Sequence, residues 1–510
     1  MMTLPALSPS LLADTAFRSR SVHPLPEPSL LDLPEKVVQF GTGSFLRAFA
    51  DAFIDTANRA GVFGGRVVMV GSTGSGRTDT LAEQGGLYTL RLQGLENGVP
   101  VESFTVIASV SRALSAAEDW PAVLACAHNP AIELVISNTT EVGIAYDPDD
   151  RPGPAAPRSF PGKLTAFLFE RARAFDFDPA QGVVVLPCEL IERNGGTLKG
   201  IVLRLAAEWG LGEQFAGWVE HAVPFCDTLV DRIAPGVPRG DDLAALETRL
   251  GYRDALLTSA EVYRQWAIQA PADVRPRLGF AGADPGVVLT DDITPYRERK
   301  VRILNGGHSV SVPVAFLAGR TTVIEMMDDP ALRAFVEGVI QEEIVPSLDV
   351  PEAEAFARDV IDRFSNPYLR HRLIDITFQS TSKWRMRLVP SIQRYYAKFG
   401  RPPRRIAFGF AAYLRFMRAT SVRDGKYFGE MNGVEYPIND DQAAFFHALW
   451  RDAPDVETLV RQAAGHEAFW DLDLNQFEGF SRTVTGYLSS IEEIGCAPAL
   501  QILAPPSHPT

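Results

Sequence analysis

Val37-Val38-Gln39-Phe40-Gly41-Thr42-Gly43-Ser44-Phe45-Leu46 is the stretch on which the fold turns. Its first four residues have the character of a short buried strand, and they run directly into a glycine turn. Behind the turn, Phe45, Ala48, Phe49, Ala52 and Phe53 recur at the spacing of one buried helix face, up to a stop at Gly61. A second apolar run, Val67 to Val70, follows. Strand, glycine turn, helix and strand make a βαβ unit of about the size of a mononucleotide-binding half-fold. In such a unit Gly41 makes the tight turn, Gly43 lets the backbone approach a pyrophosphate, and the start of the helix attracts the anion. Leu46 stands where a third fingerprint glycine belongs. The acidic residue expected after the second strand is also missing, because Val70 leads into Gly71-Ser72-Thr73-Gly74 with Arg77 nearby. The residues leave NAD and NADP both open.

Further strands are expected at 88–92, 104–107, 134–136 and 183–186, with helices at 163–175 and 197–209 between some of them. Residues 1–35, rich in Pro, Ser and Leu, read as an extended N-terminal arm. Beyond about residue 293 helical periodicity takes over. Thr294-Pro295 and Asp329-Pro330 each look like an N-cap followed by proline in the first turn. Helices are expected at 330–344, 352–364, 404–418, 442–451 and 476–494, and strand signals are sparse. The expected architecture is α/β: a Rossmann-type parallel-sheet domain over 36–290, a mostly α-helical domain over 291–503, and a flexible tail at 504–510.

The chain has 510 residues, 46% of them hydrophobic and 22% charged, the composition of a folded globular protein rather than a disordered one. Its net charge of −14 argues against nucleic acid or an anionic membrane as the main partner, and leaves room for a local basic pocket that takes an anionic substrate. No apolar run is long enough for a membrane span, and the N-terminus lacks the basic start and apolar core of a secretion signal. The cytoplasm is therefore expected, with the protein a monomer or small homo-oligomer. Cys126, Cys188, Cys226 and Cys496 have no CxxC spacing and read as reduced, buried thiols, and the histidines show no metal-ligand spacing. No metal is expected.

The segment from Tyr296 to His308 carries the chemistry. At an α-helical step, Asn305 lies about 140° from Lys300 and His308 about 80° from it, so all three share one sector. A proton-transfer group, an oxyanion donor and an orienting hydrogen bonder at one place make a sensible reaction site. Gly306 and Gly307 are poor helix formers that make sense where a ligand or another backbone comes close.

Lys-x4-Asn-x2-His opening a helical domain behind a GxGxF turn resembles the mannitol dehydrogenase family of polyol-specific long-chain dehydrogenases. The runs 39–49, 137–144 (Ser-Asn-Thr-Thr-Glu-Val-Gly-Ile), 187–195 (Pro-Cys-Glu-Leu-Ile-Glu-Arg-Asn-Gly), 228–233 and 295–308 narrow the resemblance to its hexuronate branch. The resemblance implies an NAD-dependent, metal-independent oxidoreductase that reduces the keto-uronate D-tagaturonate to D-altronate, reversibly. Fructuronate and neutral polyols are the alternatives within the family, and a catalytically silent nucleotide-binding sensor is the alternative outside it. Carried over by residue, the family pattern makes Lys300 the base toward the alcohol, Asn194 and Asn305 the holders of the reacting oxygen, and His308 a substrate-positioning group. Asp231, Lys383 and Arg193 fall to substrate binding, and Gly41, Thr42, Gly43, Ser44, Phe45, Ser137 and Asn138 to the cofactor.

Three departures stand out. Mannitol enzymes usually read Cys-Asp-Asn where this chain has Cys188-Glu189-Leu190, which points to a uronate. Their arginine eight residues before the substrate-binding lysine is Asp375 here, and their glutamate three before the catalytic lysine is Arg297. Arg47, Arg193, Arg372 and Lys383 are each chemically able to pair with a substrate carboxylate.

Overall fold

Every residue from Val37 to Phe40 is buried, and this run is the middle strand of a five-stranded parallel sheet. The computed structural model describes residues 4–72, 76–139 and 143–503. Thr73-Gly74, the central part of the 137–144 motif, the first three residues of the arm and the 504–510 tail lie outside them. The sheet comprises β1 (Glu35–Phe40), β2 (Arg66–Gly71), β3 (Val110–Ser115), β4 (Leu134–Ser137) and β5 (Val184–Pro187), in the order β3-β2-β1-β4-β5. Strand order reverses between β1 and β4, and in sheets of this kind ligands bind at the carboxyl ends of the strands at that point. Alternate residues serve opposite faces. Val37, Val67, Met69, Leu134 and Ile136 join one core with Phe49, Phe53 and Trp266. Val38, Phe40, Val68, Val70 and Val135 join another with Phe160, Leu164, Phe167, Leu198 and Val202.

The chain divides into two compact units, residues 1–93 with 100–293, and residues 94–99 with 294–510. The first holds the parallel sheet and two smaller three-stranded sheets. The second is mostly helical but contains an antiparallel sheet of Ser421–Arg423, Lys426–Met431 and Val434–Ile438 that sequence reading does not anticipate. Its strands are short and largely solvent-facing, so charged residues such as Lys426, Glu430 and Glu435 obscure the alternation.

Two other expectations are corrected. The helix behind the glycine turn is not continuous: α1 (Ser44–Arg47) ends after one turn and α2 (Ala50–Arg59) starts afresh. The carbonyl of Arg47 accepts from Tyr88 Oη at 2.7 Å and that of Ala48 from Arg232 Nη1 at 2.7 Å, so side chains draw both out of the helical ladder. The arm is not simply extended. Ser8 caps Pro9–Ala13, Asp14 caps Thr15–Arg18, and Leu7, Leu12 and Phe17 pack into a core with Phe104, Leu246 and Tyr252.

Candidate functional site

In the first unit the glycine turn forms one wall of a cavity of about 430 Å³ lined by Gly41, Thr42, Gly43, Arg77, Asn138 and Thr139, among others. Gly41 has φ +127°, and a Cβ there would lie 2.7 Å from the backbone oxygen of Asn138. Only glycine fits this crossing of β1 and β4. A Cβ on Gly43 would meet nothing within 4 Å, which leaves its backbone open to a ligand. Leu46 needs no glycine in its place: α1 is a single turn, and the leucine is buried in the core. A second cavity, of about 490 Å³, shares Ser72 and Thr139 with the first and reaches Phe160 and Lys163. Ser44 and Phe45 do not line the first cavity. Ser44 Oγ accepts from Arg47 at 3.4 Å and Phe45 stacks on Phe49 at 4.9 Å.

Ser137 and Asn138 are fastened by the segment after β5. Ser137 Oγ donates to Glu189 Oε2 at 3.0 Å, and Thr139 donates to Glu189 Oε1 from its backbone at 3.0 Å and its hydroxyl at 3.2 Å. Asn138 Nδ2 donates to the Cys188 carbonyl at 2.7 Å. Burial pushes the Glu189 carboxyl up, and these hydrogen bonds pull it back. The Cys188-Glu189-Leu190 departure therefore concerns the shape of this loop; Glu189 faces inward and Leu190 is exposed.

Asn194, first residue of α3 (Asn194–Glu208), is 1% exposed and fully engaged. Its Nδ2 donates to the carbonyls of Pro187 (3.0 Å), Glu189 (3.1 Å) and Thr228 (3.1 Å), and its Oδ1 accepts from the backbone of Gly195 and Thr228, each at 2.9 Å. Arg193 precedes it in left-handed conformation, φ 50°, with its side chain exposed. Asp231 is buried at the end of the strand Asp227–Asp231. Arg47 is wholly buried and donates to Ser44 Oγ and the Leu256 carbonyl, which removes it as a substrate contact.

In the second unit residues 294–317 form one continuous helix that changes type. Thr294–Arg299 is α-helical, Lys300–Asn305 is a π-helix, and Gly306–Leu317 is α-helical again. The uniform step assumed from sequence fails here. The i→i+5 bonding of a π turn brings residues five apart more nearly over one another, so Lys300 and Asn305 align better than an α-helix allows. Short π segments are enriched at functional sites. Gly306 and Gly307 make room for side chains rather than for another backbone: a Cβ on Gly307 would sit 3.2 Å from Ile340, and one on Gly306 3.4 Å from Leu388. Ile340 belongs to a second π segment, Val339–Ile344.

Lys300, Asn305 and His308 are each half-buried. The Asn305 carbonyl accepts from Ser309 Oγ at 3.0 Å and from Arg387 Nη1 at 3.4 Å. His308 stacks on Phe364 with ring centroids 4.0 Å apart and meets His371 edge-on at 6.0 Å. Burial, and then the charges of His371, Arg387, Arg363 and Lys383, push its pKa well below the usual value, so its ring is neutral at pH 7. Lys383 and Arg387 lie four apart on one face of α4 (Ser380–Arg387). Lys383 Nζ donates to the Ile376 carbonyl at 2.9 Å; burial, then the Arg387 charge, lower its pKa to about 8, against the pull of Asp440. Arg387 was missed in the sequence, although Lys383-x3-Arg387 on a helix was there to be read. Asp375, in place of the family's arginine, is exposed and lies 3.9 Å from the equally exposed Arg372. Among the described residues no group of three or more His, Cys, Asp or Glu could hold a metal ion.

Two family models cover most of the chain, the mannitol dehydrogenase Rossmann domain over residues 35–280 and the mannitol dehydrogenase C-terminal domain over 292–492. The altronate oxidoreductase of Klebsiella pneumoniae (strain 342) is 43% identical over 479 residues, 92% of this chain and 97% of that protein. That of Cronobacter sakazakii is 42% identical over 467 residues, covering 90% and 94%. Among solved structures, Pseudomonas fluorescens mannitol 2-dehydrogenase, in a ternary complex with NAD and D-mannitol, matches with a TM-score of 0.64 at 26% identity, covering 93% of this chain and 95% of that one. A substrate-free D-sorbitol dehydrogenase shares the fold, with a TM-score of 0.76 at 24% identity over 95% of this chain and 99% of that one.

Proposed function

The chain belongs to the mannitol dehydrogenase family, and on that premise we propose that it interconverts D-altronate and D-tagaturonate with NAD as cofactor. The relatives named altronate oxidoreductase support the substrate, because the likeness to them runs through nearly the whole of both chains. The observation that carries the chemistry is the π segment, which holds Lys300 and Asn305 on one face with the neutral His308 one turn on. The turn at Gly41–Gly43 and the Asn138–Thr139 loop fit a dinucleotide: a Cβ at 41 would strike Asn138, and the space beside Gly43 is open.

When bound, NADH supplies a hydride to the ketone carbon. As that carbon is reduced, the side-chain amide of Asn305 donates to the growing oxyanion, and the Lys300 ammonium gives the oxygen its proton. In the oxidative direction the Lys300 amine takes the proton back, and it serves as a base only while neutral. His308, uncharged, orients a substrate hydroxyl. We assign Asn194 to positioning, since its amide would have to release a backbone partner to reach substrate. Asp231 and Lys383 belong to substrate binding. The reading places the enzyme in the cytoplasm, consistent with four buried free thiols. No helix among the described residues is long and apolar enough to cross a membrane.

The test is NADH and NADPH oxidation by purified protein with D-tagaturonate, D-fructuronate and D-fructose in parallel, in the presence of EDTA. Tagaturonate with NADH is expected to give the highest kcat/KM and to keep it under chelation. Equal or better efficiency with fructose would overturn the reading.

A further inference from the structure

We infer that the substrate carboxylate is held by Arg387 and Lys383, with His371 bordering the same space, and that this basic group makes the enzyme select uronates over neutral sugars; the inference rests on the function proposed above. Arg387 is placed beside the reacting groups by its own bonds. Its Nη1 donates to Ser309 Oγ at 3.0 Å and to the Asn305 carbonyl at 3.4 Å. Among the described residues no acceptor stands within hydrogen-bond distance of its Nε or Nη2, so one edge of the guanidinium fork is open to a carboxylate. Lys383, one turn earlier on the same face, uses one of its three donors on Ile376.

Neither cation has a carboxylate within ion-pair distance among the described residues. The nearby acids are otherwise engaged or turned outward. Asp440 accepts from the Thr381 hydroxyl and from the backbone of Thr381 and Gln442, and Asp375 lies exposed beside Arg372. Like charges four apart on a helix repel, and burial raises the cost of each. Burial lowers the pKa of both, and the Arg387 charge lowers that of Lys383 further. A group of this kind, beside the reacting residues, is matched by an anion, and a uronate brings one. Of the arginines singled out in the sequence, Arg47 is buried and engaged, and Arg193 and Arg372 point to solvent.

The experiment measures kcat and KM for D-tagaturonate and D-fructose with the wild type, Arg387→Gln, Arg387→Lys and Lys383→Gln, alongside thermal unfolding. Because Arg387 also braces Asn305, the readout is the ratio of the two kcat/KM values, which a general loss of geometry does not move. Arg387→Gln is expected to lower the tagaturonate-to-fructose ratio about ten- to a hundredfold, mainly through KM for tagaturonate. Arg387→Lys should recover part of that, and Lys383→Gln should move the ratio the same way. Ratios within twofold of wild type in the folded variants would overturn the inference alone. A wild type that reduces fructose but not tagaturonate would overturn it together with the proposed function.

Discussion

Asn194 opens α3 in the first unit with every position of its amide occupied by backbone, whereas Asn305, in the π segment of the second, has its carbonyl braced and its side chain without a protein partner among the described residues. The family pattern gives both the same role. Arg47 and Arg387 repeat the contrast: one is buried and held by its own unit, the other keeps an edge of its guanidinium open. Where residue type and motif agree, the degree to which polar groups are already satisfied separates a structural fastening from a group kept available for a ligand. On this view the first unit commits its polar side chains to shaping a backbone cradle. The second presents most of the side chains proposed to meet the substrate, Asp231 of the first unit being the exception.

The largest effect expected from that division is at Lys300. Lys300→Ala should lower turnover about 10²–10⁴-fold in both directions. The dissociation constant for NADH, measured by calorimetry, should stay within a few-fold, because the glycine cradle is intact. Added primary amines should restore part of the variant's activity. Turnover within a few-fold of normal would move the proton chemistry to another group.

The asparagine pair tests the contrast directly. Asn305→Ala should cost about 10²–10³ in kcat with the unfolding midpoint unchanged, the effect of removing one oxyanion donor. Asn194→Ala should instead destabilise the protein by about 1–3 kcal/mol in denaturant titrations, since it leaves the backbone N–H groups of Gly195 and Thr228 buried without acceptors. If Asn194→Ala proved as stable as wild type and as slow as Asn305→Ala, the two would share one role after all.

The parallel-sheet unit was legible because its strands are apolar runs and its turn needs glycine for steric reasons that sequence displays. The three reacting candidates on the 294–317 helix were legible from residue type and spacing. What stayed hidden depends on long-range partners. The break between α1 and α2 comes from Tyr88 and Arg232, which lie about 40 and 180 residues away along the chain. The π segment needs one residue of slack that no local pattern marks. The role of Glu189 in fastening its neighbours is hidden likewise, because its contacts with Ser137 and Thr139 span some 50 residues. The spacing Lys383-x3-Arg387 is visible in the sequence, but nothing local shows that either cation lacks a counter-ion.

The smallest expected effect probes an exception to the first unit's rule. Asp51 is wholly buried, accepts through Oδ2 from Gln39 Nε2 at 3.3 Å and Tyr88 Oη at 3.4 Å, and has no partner at Oδ1. Burial raises its pKa to about 7, against the pull of its Gln39 bond and the Arg47 charge. A carboxyl raised in the native state keeps a proton that the unfolded chain releases near its ordinary value. Its contribution is therefore fully present at low pH and is lost as pH climbs from about 4 toward about 7. Asp51→Asn removes that dependence while keeping an oxygen for Gln39 and Tyr88. The variant should unfold like wild type at pH 5 or slightly more easily, and should gain on it steadily as pH rises to 8. A difference that stays flat from pH 5 to 8 would mean that Asp51 is ionised throughout, with its charge balanced inside the unit as completely as the amide of Asn194.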